Sequence, residues 1–464
     1  MNSNVGHDLK TVLKLSPKEI SLGLAMFYIA YVVFDVPSNL LMTRLSPRIW
    51  MSRIVFSIGI LGLCFAFIKA AWSLYLLRFL LGVAAAGLWP GMAYYLTLFY
   101  PPSRTGKRIG MYFTASQLSA AVIGLVSAGF QKMDGARGLV GFQWMFLLWG
   151  VAGTALGIAL LWWLPERVTV PGEAPPPASG LIKFLPPPRP ALKGEDAEVH
   201  YRDLSRVYHV RPWTMRDLYH VLIDWRLLPL TLMYFGVVGV GNGTQLYATV
   251  IISGINPSFS GVTLSLLVAP IWICDLIAIL LVTPISDRFH RHRALFFSLA
   301  VCVQITGILM TTLIPVSNPW ARYVGLLLVG FGLGPTVPIT MTWSNEVFQR
   351  RHGEVGVAAA SALVSGLGNL GSVVATYALY TGWPEDAKKG PLQFRKSSLV
   401  MVGILCMSIL SSVAMTFLLK IFGMKPAKTN SAASSISDFQ DGAAKREQEQ
   451  RGFKGMWWNK KAKA

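Results

Sequence analysis

Three ionisable side chains, Asp35, Arg78 and Asp275, stand inside long apolar runs. An ionised group at the centre of a bilayer costs at least about 3 kcal/mol, so such residues persist where they do a job. A lone guanidinium offers a fixed fork of donors that suits a carboxylate, sulfonate or sulfate oxygen. Arg78 therefore either contacts an anionic substrate or pairs internally and sets helix packing. Asp275 precedes Asp287 by twelve residues, which on a helix is about 18 Å and puts it near the membrane centre. A carboxyl at that depth either carries a proton or makes a structural hydrogen bond to a neighbouring helix. Asp35, nine residues before Arg44, lies roughly 13 Å from its loop; it is placed to latch a gate rather than to meet substrate.

The elements that must position these groups are apolar runs near 20–42, 51–69, 73–99, 107–130, 141–163, 226–252, 260–285, 293–314, 320–343, 354–380 and 397–422. Each is long enough to cross a bilayer as a helix of about 20 residues. The chain is 53% hydrophobic and only 14% charged, too few charges for a soluble protein of this length. The fold class is all-α and polytopic. Four regions follow: 1–164, a first bundle; 165–225, a cytoplasmic linker; 226–424, a second bundle of six helices; and 425–464, a polar disordered tail. The linker carries Pro175-Pro176-Pro177 and Pro186-Pro187-Pro188, then turns amphipathic from Tyr201 to Trp225, as a helix lying on the membrane surface would.

The linker, the basic tail and the clusters Arg44/Arg48/Arg53, Arg104/Lys107/Arg108 and Arg288/Arg291/Arg293 fall on one side, which the positive-inside rule assigns to the cytoplasm. The net charge of +20 is then orienting charge facing an anionic leaflet, not a nucleic-acid surface. All seven histidines are read as loop residues, so no span holds a metal or acid–base histidine cluster. Cys64, Cys274, Cys302 and Cys406 are isolated within apolar spans and read as packing. Neither a metal nor a cofactor is expected. No ATPase-type phosphate loop is present, so the energy source is an ion gradient or the substrate's own.

Several motifs give this pattern a family. Phe34-Asp35-Val36-Pro37-Ser38-Asn39-Leu40, Arg78-Phe79-Leu80-Leu81-Gly82 with Ala86-Gly87-Leu88-Trp89-Pro90-Gly91, Arg104-Thr105-Gly106-Lys107-Arg108, Gly141-Phe142-Gln143-Trp144-Met145-Phe146, Ser286-Asp287-Arg288-Phe289-His290-Arg291 and Gly368-Asn369-Leu370-Gly371 lie in order along the chain. Together they resemble the major facilitator superfamily, and within it the anion:cation symporter branch that includes fungal allantoate, nicotinate and pantothenate permeases. The resemblance implies two six-helix bundles. Asn4-Val5-Gly6 resembles the element after the family's first helix, so that helix is expected to be missing and eleven spans remain. Many relatives carry a glutamate seven residues after the fourth-helix arginine; Ala85 stands there here, so proton coupling must use another group. The superfamily's glycine-proline antiporter signature is absent from the fourth span, which favours symport or uniport.

Further cavity candidates are Gln117, Asn369 and, in the glycine-rich run 236–247, Asn242, Gln245 and Tyr247. The glycines of that run mark either a weakened helix exposing polar groups or close helix packing. Asp287, Arg288 and Arg291, with Arg104, are expected to hold the cytoplasmic side shut in one state. The function expected is a monomeric plasma-membrane secondary transporter that imports a small organic or sulfur-containing anion, sulfonate or sulfate first, with protons. Tyr94 to Tyr100 and Trp213 to Arg226 resemble sulfonate and alternative sulfate carriers. Carboxylates such as allantoate, nicotinate or pantothenate are the second substrate class, and a non-transporting nutrient receptor on the same fold is the alternative function.

Overall fold

The computed structural model describes residues 12–423 except 101, 132, 134, 167–186, 188, 191, 193, 206–213, 256–260, 316, 380–382 and 384–394. The side chains of Arg104, Gln245 and Tyr247 also lie outside the described residues. So do the linker prolines, other than Pro165, Pro187 and Pro190, and the tail.

The described chain is helical. The helices are α1 (Pro17–Arg44), α2 (Pro47–Phe65), α3 (Ala71–Ala85), α4 (Leu88–Thr97), α5 (Pro102–Gln131), α6 (Gly141–Trp163), α7 (Glu195–Ser205), α8 (Met215–Leu222), α9 (Leu227–Ile255), α10 (Gly261–Arg288), α11 (Arg293–Leu313), α12 (Pro319–Leu333), α13 (Thr336–Val373) and α14 (Arg395–Phe422). Each predicted span is occupied by helix. Among the described residues nine helices are long and apolar enough to cross a membrane, or ten if the bent pair α8–α9 counts as one span. Caps explain the sharp starts: Ser16 and Glu19 form a capping box on α1, and the Ser46 hydroxyl accepts from Ile49 N on α2.

Two spans are broken, both at glycine. The span predicted at 73–99 divides at Gly87, which adopts φ +86° between α3 and α4. The span predicted at 320–343 divides between α12 and α13 at Gly334-Pro335, and α13 then turns again at Gly353, φ +66°. The amphipathic stretch predicted from Tyr201 to Trp225 appears as two helices, α7 and α8, with α9 departing from α8 at 65°.

Helices α2 and α6, and α1 and α3, pack closely in the first half; α9 packs on α13 and α14, and α11 on α12, in the second. Across the halves α5 lies along α10, and α1 along α13. Small residues permit this closeness. A Cβ on Gly157 of α6 would meet the Phe56 backbone of α2. The glycines of the run 236–247 serve the same purpose: Gly236 faces Ser408, Gly239 faces the Gly371 backbone and Gly241 faces Leu333. That helix is continuous, so the glycines mark packing rather than unwinding.

Two sequence expectations change. His200, His220 and His352 lie in helices rather than loops, and Cys64, Cys302 and Cys406 are exposed on the outer faces of their helices instead of packed inside. His352 belongs to a buried cluster. Its Nε2 lies 3.1 Å from Asp224, which also receives Arg226 at 3.1 Å and Arg351 at 2.5 Å. Arg226 donates in addition to the Gly423 carbonyl at 2.9 Å. One carboxylate thus clamps the α8–α9 bend, the Gly353 turn and the end of α14.

Burial pushes the Asp224 carboxyl up, but the His352 hydrogen bond, the Arg226 N–H and the Arg351 and Arg226 charges together hold it well below the ordinary carboxylate range. A depressed folded-state value contributes stability above the unfolded value, about pH 4, and loses it as the pH falls toward the folded one. Asp224→Asn is expected to cost about 3 kcal/mol at pH 7, because two guanidiniums lose their counter-charge. Thermal unfolding in detergent should show that deficit at pH 7 and a shrinking one below about pH 4.

Candidate functional site

Trp89 at the start of α4 follows directly from the Gly87 break, and Asp35 makes that break tolerable. Inside a membrane a freed backbone group must find a partner within the protein. Asp35 Oδ1 accepts from Gly87 N at 2.6 Å, and the Ser38 hydroxyl donates to the Ala86 carbonyl at 2.7 Å. Trp50 Nε1 then donates to Ser38 Oγ at 3.1 Å, tying in α2. The Asp-x-Pro-Ser element of α1 is therefore a cap for a neighbouring helix. Asp35 is fully buried, with its Oδ2 unpartnered among the described residues and facing Gly366 of α13.

The second half also sets a buried carboxyl beside a glycine where two helices meet, but there the Gly334 N–H donates to the Gly330 carbonyl. Asp275 of α10 is fully buried beside Gly334, where a Cβ would meet Asp275 Oδ1 at 2.5 Å. Neither of its carboxylate oxygens has a hydrogen-bond partner among the described residues. One turn away on α10, Trp272 reaches the centre of the molecule.

There a cavity of about 180 Å³ is lined from both halves by Trp89, Gln117, Tyr234, Asn242, Trp272 and Asn369, among others. Asn242 Nδ2 donates to Ser372 Oγ at 2.5 Å, and Asn369 Nδ2 to the Ser365 carbonyl at 2.8 Å. These bonds fix the amides so that they present defined polar edges. The structure thus brings Gln117, Asn242 and Asn369 together. Gln245 and Tyr247 lie farther along α9, their side chains outside the described residues.

Arg78 does not line this cavity. Its guanidinium stands 5.4 Å from the centre of the Phe65 ring and beside Tyr28, whose hydroxyl pairs with the Ser372 side chain. Arg78 precedes Trp89 by eleven residues and lies on α3, on the other side of the Gly87 break. It is linked to the cavity through Tyr28, Ser372 and Asn242.

The residues expected to form a gate are distributed over several places. Asp287 accepts from the Lys107 backbone N–H and from Arg293 at 3.1 Å, and Arg293 forms a fork on Glu346 at 2.7 and 2.9 Å. A Cβ on Gly106 would strike Asp287, and one on Gly110 would strike Thr283, so α5 and α10 meet closely at this end. Arg288 is exposed, Arg291 lines a second cavity, and the Arg104 side chain lies outside the described residues. Arg293 and Glu346 were missed as functional residues. Arg293 looks like one more orienting charge in a basic loop, and Glu346 lies beyond the predicted end of its span.

Removing the Asp35 acceptor should leave the Gly87 N–H unsatisfied at a cost of about 1–3 kcal/mol. Asp35→Ala is expected to lower the thermal unfolding midpoint in detergent, whereas Asp35→Asn, which keeps a carbonyl acceptor, should recover most of the loss.

The model of the Major Facilitator Superfamily matches residues 2–376. Vitamin H transporter 1 of Schizosaccharomyces pombe is 46% identical over 455 residues, covering 95% of this chain and 78% of that protein. An uncharacterized transporter of the same yeast is 47% identical over 427 residues, 89% of this chain and 66% of that protein. The fucose:proton symporter of E. coli superposes with a TM-score of 0.56 at 15% identity, over 86% of this chain and 91% of that one.

Proposed function

The chain belongs to the Major Facilitator Superfamily; it is a multi-pass membrane transporter and not an enzyme, and we propose that it imports a small carboxylate with protons by alternating exposure of the central cavity. The observation that carries the substrate class is the lining of that cavity. Amides of Gln117, Asn242 and Asn369 stand with the indoles of Trp89 and Trp272, and among the described lining residues none is charged. Such a surface suits a molecule with a neutral polar ring and an apolar body, anchored by a few placed hydrogen bonds. Compact sulfate has nothing to offer the indoles. Vitamin H, named for the 46% identical relative, is such a molecule: a ureido ring joined by an aliphatic chain to one carboxylate.

A sulfonate oxygen fits the Arg78 fork as well as a carboxylate does, and the sulfonate resemblance remains the second substrate reading. Arg78, linked to the cavity through Tyr28 and Ser372, attracts the anion on its outer approach. The linker and basic-loop ends face the cytoplasm of the plasma membrane in this reading, and one chain forms the whole pathway. Asp275, without a hydrogen-bond partner among the described residues and one turn from Trp272 of the cavity, is the proton carrier. Asp287, Arg293 and Glu346 close the cytoplasmic end, and α1 and α13 with the broken helices α3–α4 and α12–α13 change contacts as the halves rock.

Uptake of labelled vitamin H by yeast lacking its own carrier tests this. Saturable uptake is expected, inhibited by unlabelled acid and by analogues with free carboxylates, and insensitive to the neutral methyl ester or to sulfate. Arg78→Ala should reduce uptake at least about tenfold, the scale of a lost charge-assisted hydrogen bond, and Arg78→Lys should recover part of it. Uptake of a sulfonate but not of any carboxylate would replace the substrate class; binding without flux would favour a receptor.

A further inference from the structure

We propose that the cavity at the basic-loop ends of α11, α13 and α14 is a binding site for a phosphate-bearing anion, the head group of a membrane lipid. This cavity of about 340 Å³ shares no lining residue with the central cavity and is lined by Arg291, Arg293, Trp343, Glu346, Arg350 and Lys420, among others. Four cations face one carboxylate. Glu346 is already engaged on both oxygens by Arg293, so its charge is spent. Among the described residues no carboxylate pairs with Arg291, Arg350 or Lys420.

The other buried cation clusters of this end differ: Arg226 and Arg351 share Asp224, and Arg48 has Glu166. Cations gathered around one cavity repel each other unless an anion enters. Arginine forks with a lysine point charge suit a phosphate monoester, which takes several donors on its oxygens. The surroundings favour a lipid as its source. Leu295 and Leu299 on α11 and Phe417, Ile421 and Phe422 on α14 are all more than half exposed on the same helices. Acyl chains can lie along them while the head group turns into the cavity, as basic pockets between spans bind anionic lipid.

Occupancy reaches the gate. Arg293 lines this cavity and also holds Asp287, the residue that joins α10 to the α5 backbone. A phosphate that draws on Arg293 would therefore compete with the closed cytoplasmic contact.

The purified full chain in detergent provides the test, read as the thermal unfolding midpoint against added dioctanoyl phosphatidylinositol 4-phosphate. A ligand that binds the folded state raises the midpoint in a concentration-dependent way. The phosphorylated lipid should do so, dioctanoyl phosphatidylcholine should not, and Arg350→Gln/Lys420→Gln should raise the half-maximal concentration roughly tenfold. Arg395→Gln/Lys396→Gln, at the other end of α14, should leave it unchanged. Soluble inositol 1,4-bisphosphate separates the sources: an equal response assigns the site to free phosphate esters, a response to the lipid alone assigns it to the membrane, and both support a phosphate site. An unaltered response in the double variant, or an equal response to phosphatidylcholine, overturns it. If the double variant does not fold, Lys420→Gln alone, at an exposed side chain, must still weaken the response, and an unchanged response there overturns the proposal.

Discussion

The hydrogen bond from the Gly87 amide to Asp35 is the interaction on which the centre of this molecule depends. A helix broken inside a membrane releases backbone groups that hydrocarbon cannot satisfy. Here a carboxylate and a serine from α1 take up those groups, and the break then turns α4 so that Trp89 meets the cavity. The second half places Asp275 beside the Gly334-Pro335 break, and the residues flanking that break, Leu333 and Val337, line the same cavity. The two carboxyls are not equivalent. Asp35 is committed to a backbone amide, whereas Asp275 has no hydrogen-bond partner on either oxygen among the described residues. One is therefore suited to holding a helix break in place and the other to exchanging a proton with the pathway.

Most of the remaining buried charges gather at the basic-loop end and are paired there, whereas Arg322 donates to the Thr311 carbonyl at the opposite end, where α11 ends and α12 begins. Arg48 meets Glu166, Asp224 meets Arg226, Arg351 and His352, and Arg293 bridges Asp287 and Glu346. Each set includes a contact between chain segments distant in sequence: Arg48 with Glu166, Asp224 with Arg351 and His352, and Arg293 with Glu346. Buried pairs of this kind add little net stability against an apolar alternative but are costly to break singly, which gives them switch-like behaviour. The Arg293 set is the one that also reaches across to α5 through Asp287. Arg293 also lines the cavity in which, among the described residues, Arg291, Arg350 and Lys420 have no carboxylate partner, and that imbalance separates a ligand site from a structural clamp.

Much of this was legible in the sequence because bilayer physics writes itself into hydropathy. Long apolar runs gave the spans, and charges inside them drew attention to Asp35, Arg78 and Asp275. The amides Gln117, Asn242 and Asn369 were legible for the same reason, as polar groups at membrane depth. What was not legible depends on partners far away in the chain. The Asp35 contact spans 52 residues to a glycine, and a glycine carries no sign that its N–H needs an acceptor. Glu346 and His352 lay past the predicted ends of their spans, where charge reads as loop, yet α13 continues through both. Arg78 was recognisable as an isolated guanidinium, but its distance from the cavity follows from the Gly87 break and from Tyr28, neither of which hydropathy reveals.

The central claim is that the unpartnered carboxyl of Asp275 moves the proton while the hydrogen-bonded carboxyl of Asp35 holds the helix break. The most direct measurement is transport in proteoliposomes, comparing accumulation of vitamin H driven by an inward proton gradient with exchange of labelled for unlabelled vitamin H at equal pH. Asp275→Asn is predicted to lose gradient-driven accumulation and keep exchange, because the binding cavity and the moving halves stay intact. Gradient-driven accumulation that survives in Asp275→Asn would contradict the account.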